Sequence, residues 1–163
     1  FGRAVARTRE LLADSSVRVI AGAVFASDGA NARLDFVERL GARGFGLRQV
    51  RAALRPSEAA LDELAFRYHV ARSSGVEVVS VEVVLLDADC VRGTGALEPG
   101  SLLRRVDVTG QVRFLAGDLE TRLEQQRSIL ARARAPDTAP SPHCRRPASC
   151  EFLAHCTADK PPD

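Results

Sequence analysis

One run constrains the fold of this chain more than any other: Val76 to Leu86, reading Val-Glu-Val-Val-Ser-Val-Glu-Val-Val-Leu-Leu. β-Branched side chains crowd a helix but sit well on a pleated surface, so the run predicts a strand. Its near-continuous apolar character places that strand in the middle of a sheet rather than at an edge. The segment before it predicts a helix. Ser57 is an N-cap ahead of Glu58, and Ala60, Leu61, Leu64, Ala65, Tyr68 and Ala71 recur at helical spacing as far as Ser73. Gly75 supplies the stop.

Upstream, Ala4, Val5, Thr8, Leu11 and Leu12 predict a helix over residues 3–13, ended by Asp14-Ser15-Ser16. Val17 to Phe25 alternates small and β-branched residues, and Asp28-Gly29 is a turn signal. Residues 32–40 place Ala32, Leu34, Phe36 and Leu40 on one face and Arg33, Asp35, Val37 and Arg39 on the other. After Gly41-Ala42-Arg43-Gly44 a third strand spans Phe45 to Ala53, completing an antiparallel meander. Downstream, Gly93 to Gly100 reads as a loop. Val106-Asp107-Val108-Thr109 leads into one long helix over residues 111–134, carrying Val112, Leu115, Leu119, Leu123 and Leu130. Ala135 to Pro142 holds three prolines and reads as a linker. The expected organisation is a domain over 1–134, a linker over 135–142 and a cysteine-rich tail over 143–163. The order helix, three antiparallel strands, helix, strand, helix predicts an α/β (α+β) fold with helices on a mixed sheet. Such an order does not by itself specify a chemistry.

A chain of 163 residues with 45% hydrophobic content can bury one core. No apolar run approaches the ~18 residues of a membrane span. The first residues carry Arg3, Arg7 and Arg9 without an apolar core behind them, so no secretory leader is read. The expected location is cytoplasmic, with no membrane partner. Because the sequence opens on Phe1 and closes on Asp163, it is expected to be part of a longer protein. A net charge of +2 is too small to imply nucleic acid. The basic residues are nevertheless all arginine except Lys160, and the guanidinium fork matches phosphate oxygens. GC-rich codon usage explains the same bias, so arginine content permits phosphate binding without requiring it.

The tail holds Cys144, Cys150 and Cys156 at two successive C-x5-C intervals, in a run with too few apolar residues to form a core. Thiols gathered this closely serve a metal or a disulfide. Nothing suggests export, which disfavours the disulfide. An iron–sulfur cluster takes four thiolates and zinc a Cys3His set. Adjacent His143 and Cys144 are poorly placed to share one ion, so His155 or a distant group would complete a zinc site. The C-x2-C knuckle usual for zinc ribbons is absent. Cys90, just after the strong strand, is the fourth cysteine and the in-chain candidate for a fourth ligand.

Several segments in this order resemble the RecB-like, CRISPR-associated branch of the PD-(D/E)XK nuclease superfamily, and within it an uncharacterised bacterial group. They are Arg33-Leu34-Asp35-Phe36-Val37-Glu38-Arg39, the stretch Asp62, Ala65-Phe66 and Tyr68 before Ser74-Gly75, the Val91-Arg92-Gly93 loop, Asp107-Val108-Thr109 and the cysteine tail. The resemblance covers residues from about Thr8 to Cys156. It implies a restriction-endonuclease-like core, a nucleic-acid partner (DNA) and a 4Fe-4S cluster on the tail, with the fourth cysteine near the N-terminus of the full protein. It also implies a Mg²⁺ or Mn²⁺ site: an acidic residue on the second strand, and an acidic residue two before a lysine on the third. Such a cation offsets phosphoryl charge and activates a water.

Asp35 matches the first acidic position, whereas the third-strand motif reads Gln49-Val50-Arg51. Gln49 offers an oxygen without charge, which weakens a metal. Arg51 can grip phosphate but cannot give up a proton near neutral pH. Arg67 stands where the helix motif has glutamine, and Gly22 where an acid is expected. These departures predict a degraded site, with Arg51 and Arg67 as nucleic-acid contacts. An ion pair of either with Asp62 or Glu63 is the plainer reading. Gln49 and Arg51 share a face, and Asp35 joins them only if the connection after Leu40 has an odd residue count or a bulge. An active metal-dependent nuclease and a zinc-stabilised interaction module without nucleic acid are the alternatives.

Overall fold

The computed structural model describes residues 1–91, 99–134, 139–145 and 149–158. Helix α1 (Gly2–Ala13) precedes a meander of β1 (Val19–Ser27), β2 (Ala30–Arg39) and β3 (Phe45–Val50). Then come α2 (Glu58–Ser73), β4 (Val78–Leu86), the single turn α3 (Pro99–Leu102), β5 (Leu103–Asp107), α4 (Thr109–Leu115), α5 (Leu119–Leu130) and the short α6 (Leu153–Thr157). The chain divides into two compact units, Phe1–Arg122 and Leu123–Asp163.

The first unit is a mixed α/β layer structure on one five-stranded sheet of order β1-β2-β3-β4-β5. β1, β2 and β3 are antiparallel neighbours, α2 carries the chain across to the parallel pair β3–β4, and β5 returns antiparallel on β4. The crossover is what a parallel pair requires. Ser57 caps α2 by accepting the Ala60 amide at 3.2 Å. Leu64, Ala65, Tyr68 and Ala71 of α2 are buried, and so are Leu47 of β3 and Val81, Val83 and Leu85 of β4. Tyr68 is a core residue, at 4% exposure. Each fully buried leucine or valine contributes about 1.5–3 kcal/mol, so Leu47→Ala or Leu64→Ala would remove a major part of the domain's stability.

The outer edge of β1 is met by α1. Thr8, at 4% exposure, accepts the Val24 amide at 2.9 Å and donates to Ala4 at 3.0 Å. This hydroxyl occupies a donor that a sixth strand would otherwise take.

Three sequence expectations are corrected. The third strand ends at Val50, since Arg51 leaves the ladder for the turn to α2. Residues 103–107, of which Val106 and Asp107 are expected as part of the lead over 106–109 into a helix, form the edge strand β5. The long helix over 111–134 is two helices broken at residues 116–118, where the Gly117 amide tightens onto Phe114 O at 3.1 Å. The strict alternation in β2 also fails. Ala32 and Leu34 are buried, but Phe36 is 39% exposed and Val37 is buried at 1%. The break coincides with a missing rung between Gly22 and Asp35, where Gly22 has φ 65°. The expected loop 93–100 lies outside the described residues up to residue 98, as does Arg92.

The sheet face carrying Phe36, Glu38, Arg48 and Glu82 holds an ion network. Arg48, 5% exposed, lies 2.9 Å from Glu38 and 3.2 Å from Glu82, and donates to Ser80 Oγ at 3.0 Å. Arg105 of β5 pairs with the same two carboxylates. Burial pushes the Glu38 carboxyl up, but hydrogen bonds and charge from Arg105 and Arg48 outweigh it and hold the group below its ordinary range. Asp107 accepts the Thr109 amide at 2.8 Å, and Thr109 Oγ1 accepts the Val81 amide at 2.9 Å. The Asp107-Val108-Thr109 segment thus fastens the start of α4 to β4, and the Thr109 contacts hold the Asp107 carboxyl low.

Candidate functional site

The geometry of the site follows from one count. β2 ends at Arg39, which pairs with Phe45, and residues 40–44 connect them. This is an odd number, because Leu40 has left the ladder to bond its amide to Gly44 O at 2.8 Å. Gly44, at φ 109°, leaves room for a close pass: a Cβ there would stand 2.5 Å from Glu77 O. With this register Phe36 faces Arg48, so Asp35 stands beside Gln49 on the face covered by α2.

β2 and β3 separate beyond the Phe36–Arg48 rung. The Asp35 carboxylate fills the gap, with Oδ2 accepting the Gln49 Nε2 at 2.5 Å and the Val50 backbone amide at 2.8 Å. Gln49 is 5% exposed. Its amide nitrogen serves Asp35 and its Oε1 accepts from Arg67 of α2, so both ends are engaged. The orientation is fixed by partner type, since a carboxylate requires a donor and a guanidinium an acceptor. Arg67 and Arg51 then converge on one carboxylate, Glu63, with Oε1 taken by Arg67 and Oε2 by Arg51. Glu63 and Arg67 meet because they are four residues apart on α2.

Asp35, Gln49, Arg51 and Arg67 are therefore brought together, with Glu63 as the joining residue. The spacing of Glu63 and Arg67 was the available signal for that role. Gly22 stands across from Asp35, between the Ala21–Phe36 and Ala23–Leu34 rungs. Two carboxylates and two guanidiniums balance. The single oxygen Gln49 could offer a cation is already hydrogen-bonded to a guanidinium, which repels one. Arg51 holds its proton near neutral pH, and Asp35 Oδ2 is engaged with two N–H donors.

In the second unit all three tail cysteines are free, with Cys144 half-buried and Cys150 and Cys156 exposed. The Cys150 amide donates to Cys144 O at 2.7 Å. Cys90, in the first unit, is half-buried, with its sulfur 3.9 Å from Ser101 Oγ. Among the described residues no three His, Cys, Asp or Glu side chains form a group that could hold a metal ion. No helix of the described residues is long and apolar enough to cross a membrane. No family model, curated protein or solved structure matches the chain.

Proposed function

We propose that the first unit is a RecB-like PD-(D/E)XK nuclease-superfamily domain that no longer cleaves and serves in binding nucleic acid, DNA in the first instance, in the cytoplasm. The observation carrying this reading is the meeting of Asp35 with Gln49 and Arg67 rather than with a second carboxylate. The order of helix, antiparallel meander, helix and parallel strand supports the superfamily assignment, as does the junction of β2 and β3 at the positions the resemblance singles out. Loss of the charged ligand and of the lysine supports loss of catalysis, because hydrolysis of a phosphodiester needs a cation at that point. The guanidiniums of Arg51 and Arg67, standing where the motifs have lysine and glutamine, support phosphate binding. The tail thiols are proposed as ligands of a 4Fe-4S cluster or of zinc. Free thiolate-forming side chains at regular spacing support this.

The test is fluorescence anisotropy of labelled single- and double-stranded DNA with the full chain from 50 to 300 mM salt. Expected is binding whose logarithm falls linearly with the logarithm of salt, with a slope of about −0.9 per phosphate neutralised on duplex DNA. Absence of binding at low salt, or binding indifferent to salt, overturns the proposal.

A further inference from the structure

Glu63 is held as an anion is held in a two-armed clamp. One oxygen takes the Arg51 guanidinium and the other takes Arg67, the arrangement in which paired guanidiniums grip two oxygens of one phosphate. Glu63 is also the most solvent-exposed of the three side chains, at 40% against 34% for Arg51 and 20% for Arg67. Arg67 is the anchored cation, fixed to Gln49, itself fixed to Asp35. Among the described residues Glu63 meets this cluster through the two arginines. A second observation points the same way. Arg51 Nε is buried and has no hydrogen-bond partner among the described residues. A buried N–H without an acceptor is costly, and a ligand oxygen reaching it would remove that cost.

We propose that Arg51 and Arg67 form a phosphate-binding site and that Glu63 is its internal competitor. A phosphate group displaces the Glu63 carboxylate, takes both guanidiniums and satisfies Arg51 Nε. The carboxylate swings to solvent from the exposed side of α2. With Glu63 in place the cluster of Asp35, Glu63, Arg51 and Arg67 is neutral; with it displaced the cluster carries one positive charge toward the ligand. This assignment rests on the nucleic-acid reading for the source of the phosphate, but not for its chemistry. Its ligand is a phosphate monoester or diester, supplied by nucleic acid or by a free phosphate compound.

Glu63→Gln removes the competing charge while keeping the length of the side chain. Inorganic pyrophosphate by titration calorimetry and a labelled single-stranded oligodeoxynucleotide by anisotropy are measured on the full chain at fixed salt. Both should bind about fivefold tighter in Glu63→Gln, the factor equivalent to about 1 kcal/mol for a part-exposed ion pair. Adding Arg51→Ala should abolish that gain. Tightening of pyrophosphate alone supports the clamp and overturns nucleic acid as its source. Unchanged or weaker binding of both ligands by folded Glu63→Gln overturns the clamp and leaves salt-dependent DNA binding elsewhere on the surface intact. Should Glu63→Gln not fold, the unmodified chain decides: pyrophosphate must raise its melting temperature and must fail to do so in Arg51→Ala.

Discussion

Replacing Arg48 by methionine isolates the energetics of the ion network on the sheet. Methionine fills a similar volume, so the cavity contribution is small and the loss is chiefly electrostatic. The Arg48 side chain is 7% exposed and holds Glu38 and Glu82, which are 32% and 19% exposed. Removing one partner of a buried pair costs about 3–5 kcal/mol. Here Arg105 still serves both carboxylates, and Glu38 is partly hydrated, so the expected loss falls to about 2–3 kcal/mol. For a domain of this size that lowers the melting temperature by about 5–10 °C. The pH dependence supplies a second readout. Glu38 sits below its ordinary value of 4.5 in the folded chain, so it stabilises the fold fully above that pH. The contribution disappears as pH falls through the lower folded value. Arg48→Met removes one of the groups that depress Glu38, so the gap between variant and parent should be widest at pH 7 and narrow below pH 4.5. Urea denaturation at pH 7, 5 and 3.5, followed by circular dichroism, measures both. A loss under about 1 kcal/mol at pH 7, or a gap independent of pH, refutes the account of this network.

Gly44→Ala should cost more than about 2 kcal/mol in thermal denaturation, because φ 109° is strained for alanine and its Cβ meets Glu77 O. Gln49→Glu sets a second carboxylate beside Asp35, so calorimetry should detect Mn²⁺ binding in that variant and weaker or no binding in the parent; equal affinities would mean that residue 49 is not at a metal position. If the tail holds a cluster or zinc, anaerobic reconstitution should load iron or zinc on the parent, and Cys150→Ser should lose it by elemental analysis.

The parts of the fold legible in the sequence were those with strong local signals. The β-branched run became β4, and Ser57 capped α2 as its spacing required. β5 was missed because Leu103-Arg-Arg-Val-Asp107 is a charged edge strand, three of whose five residues are exposed, and such strands lack an apolar period. The helix break was hidden because Leu115 and Leu119 keep helical spacing across Gly117. The convergence of Asp35 and Gln49 was legible only as a condition on the loop length. Leu40 decided it by leaving the strand, a choice made by the turn Gly41–Arg43 and not by any residue pattern in β2. The pairing of Arg48 with Glu38 and Glu82 depends on register across three strands, and local spacing does not carry that information. In the tail, the even spacing of the thiols carries no ligand geometry.

The most direct test of the eroded-site account is incubation of the full chain with linear duplex and single-stranded DNA in the presence of Mg²⁺ or Mn²⁺. The account predicts that both substrates stay intact on a denaturing gel while the protein still shifts them on a native one. Cutting that disappears in Asp35→Ala would contradict it.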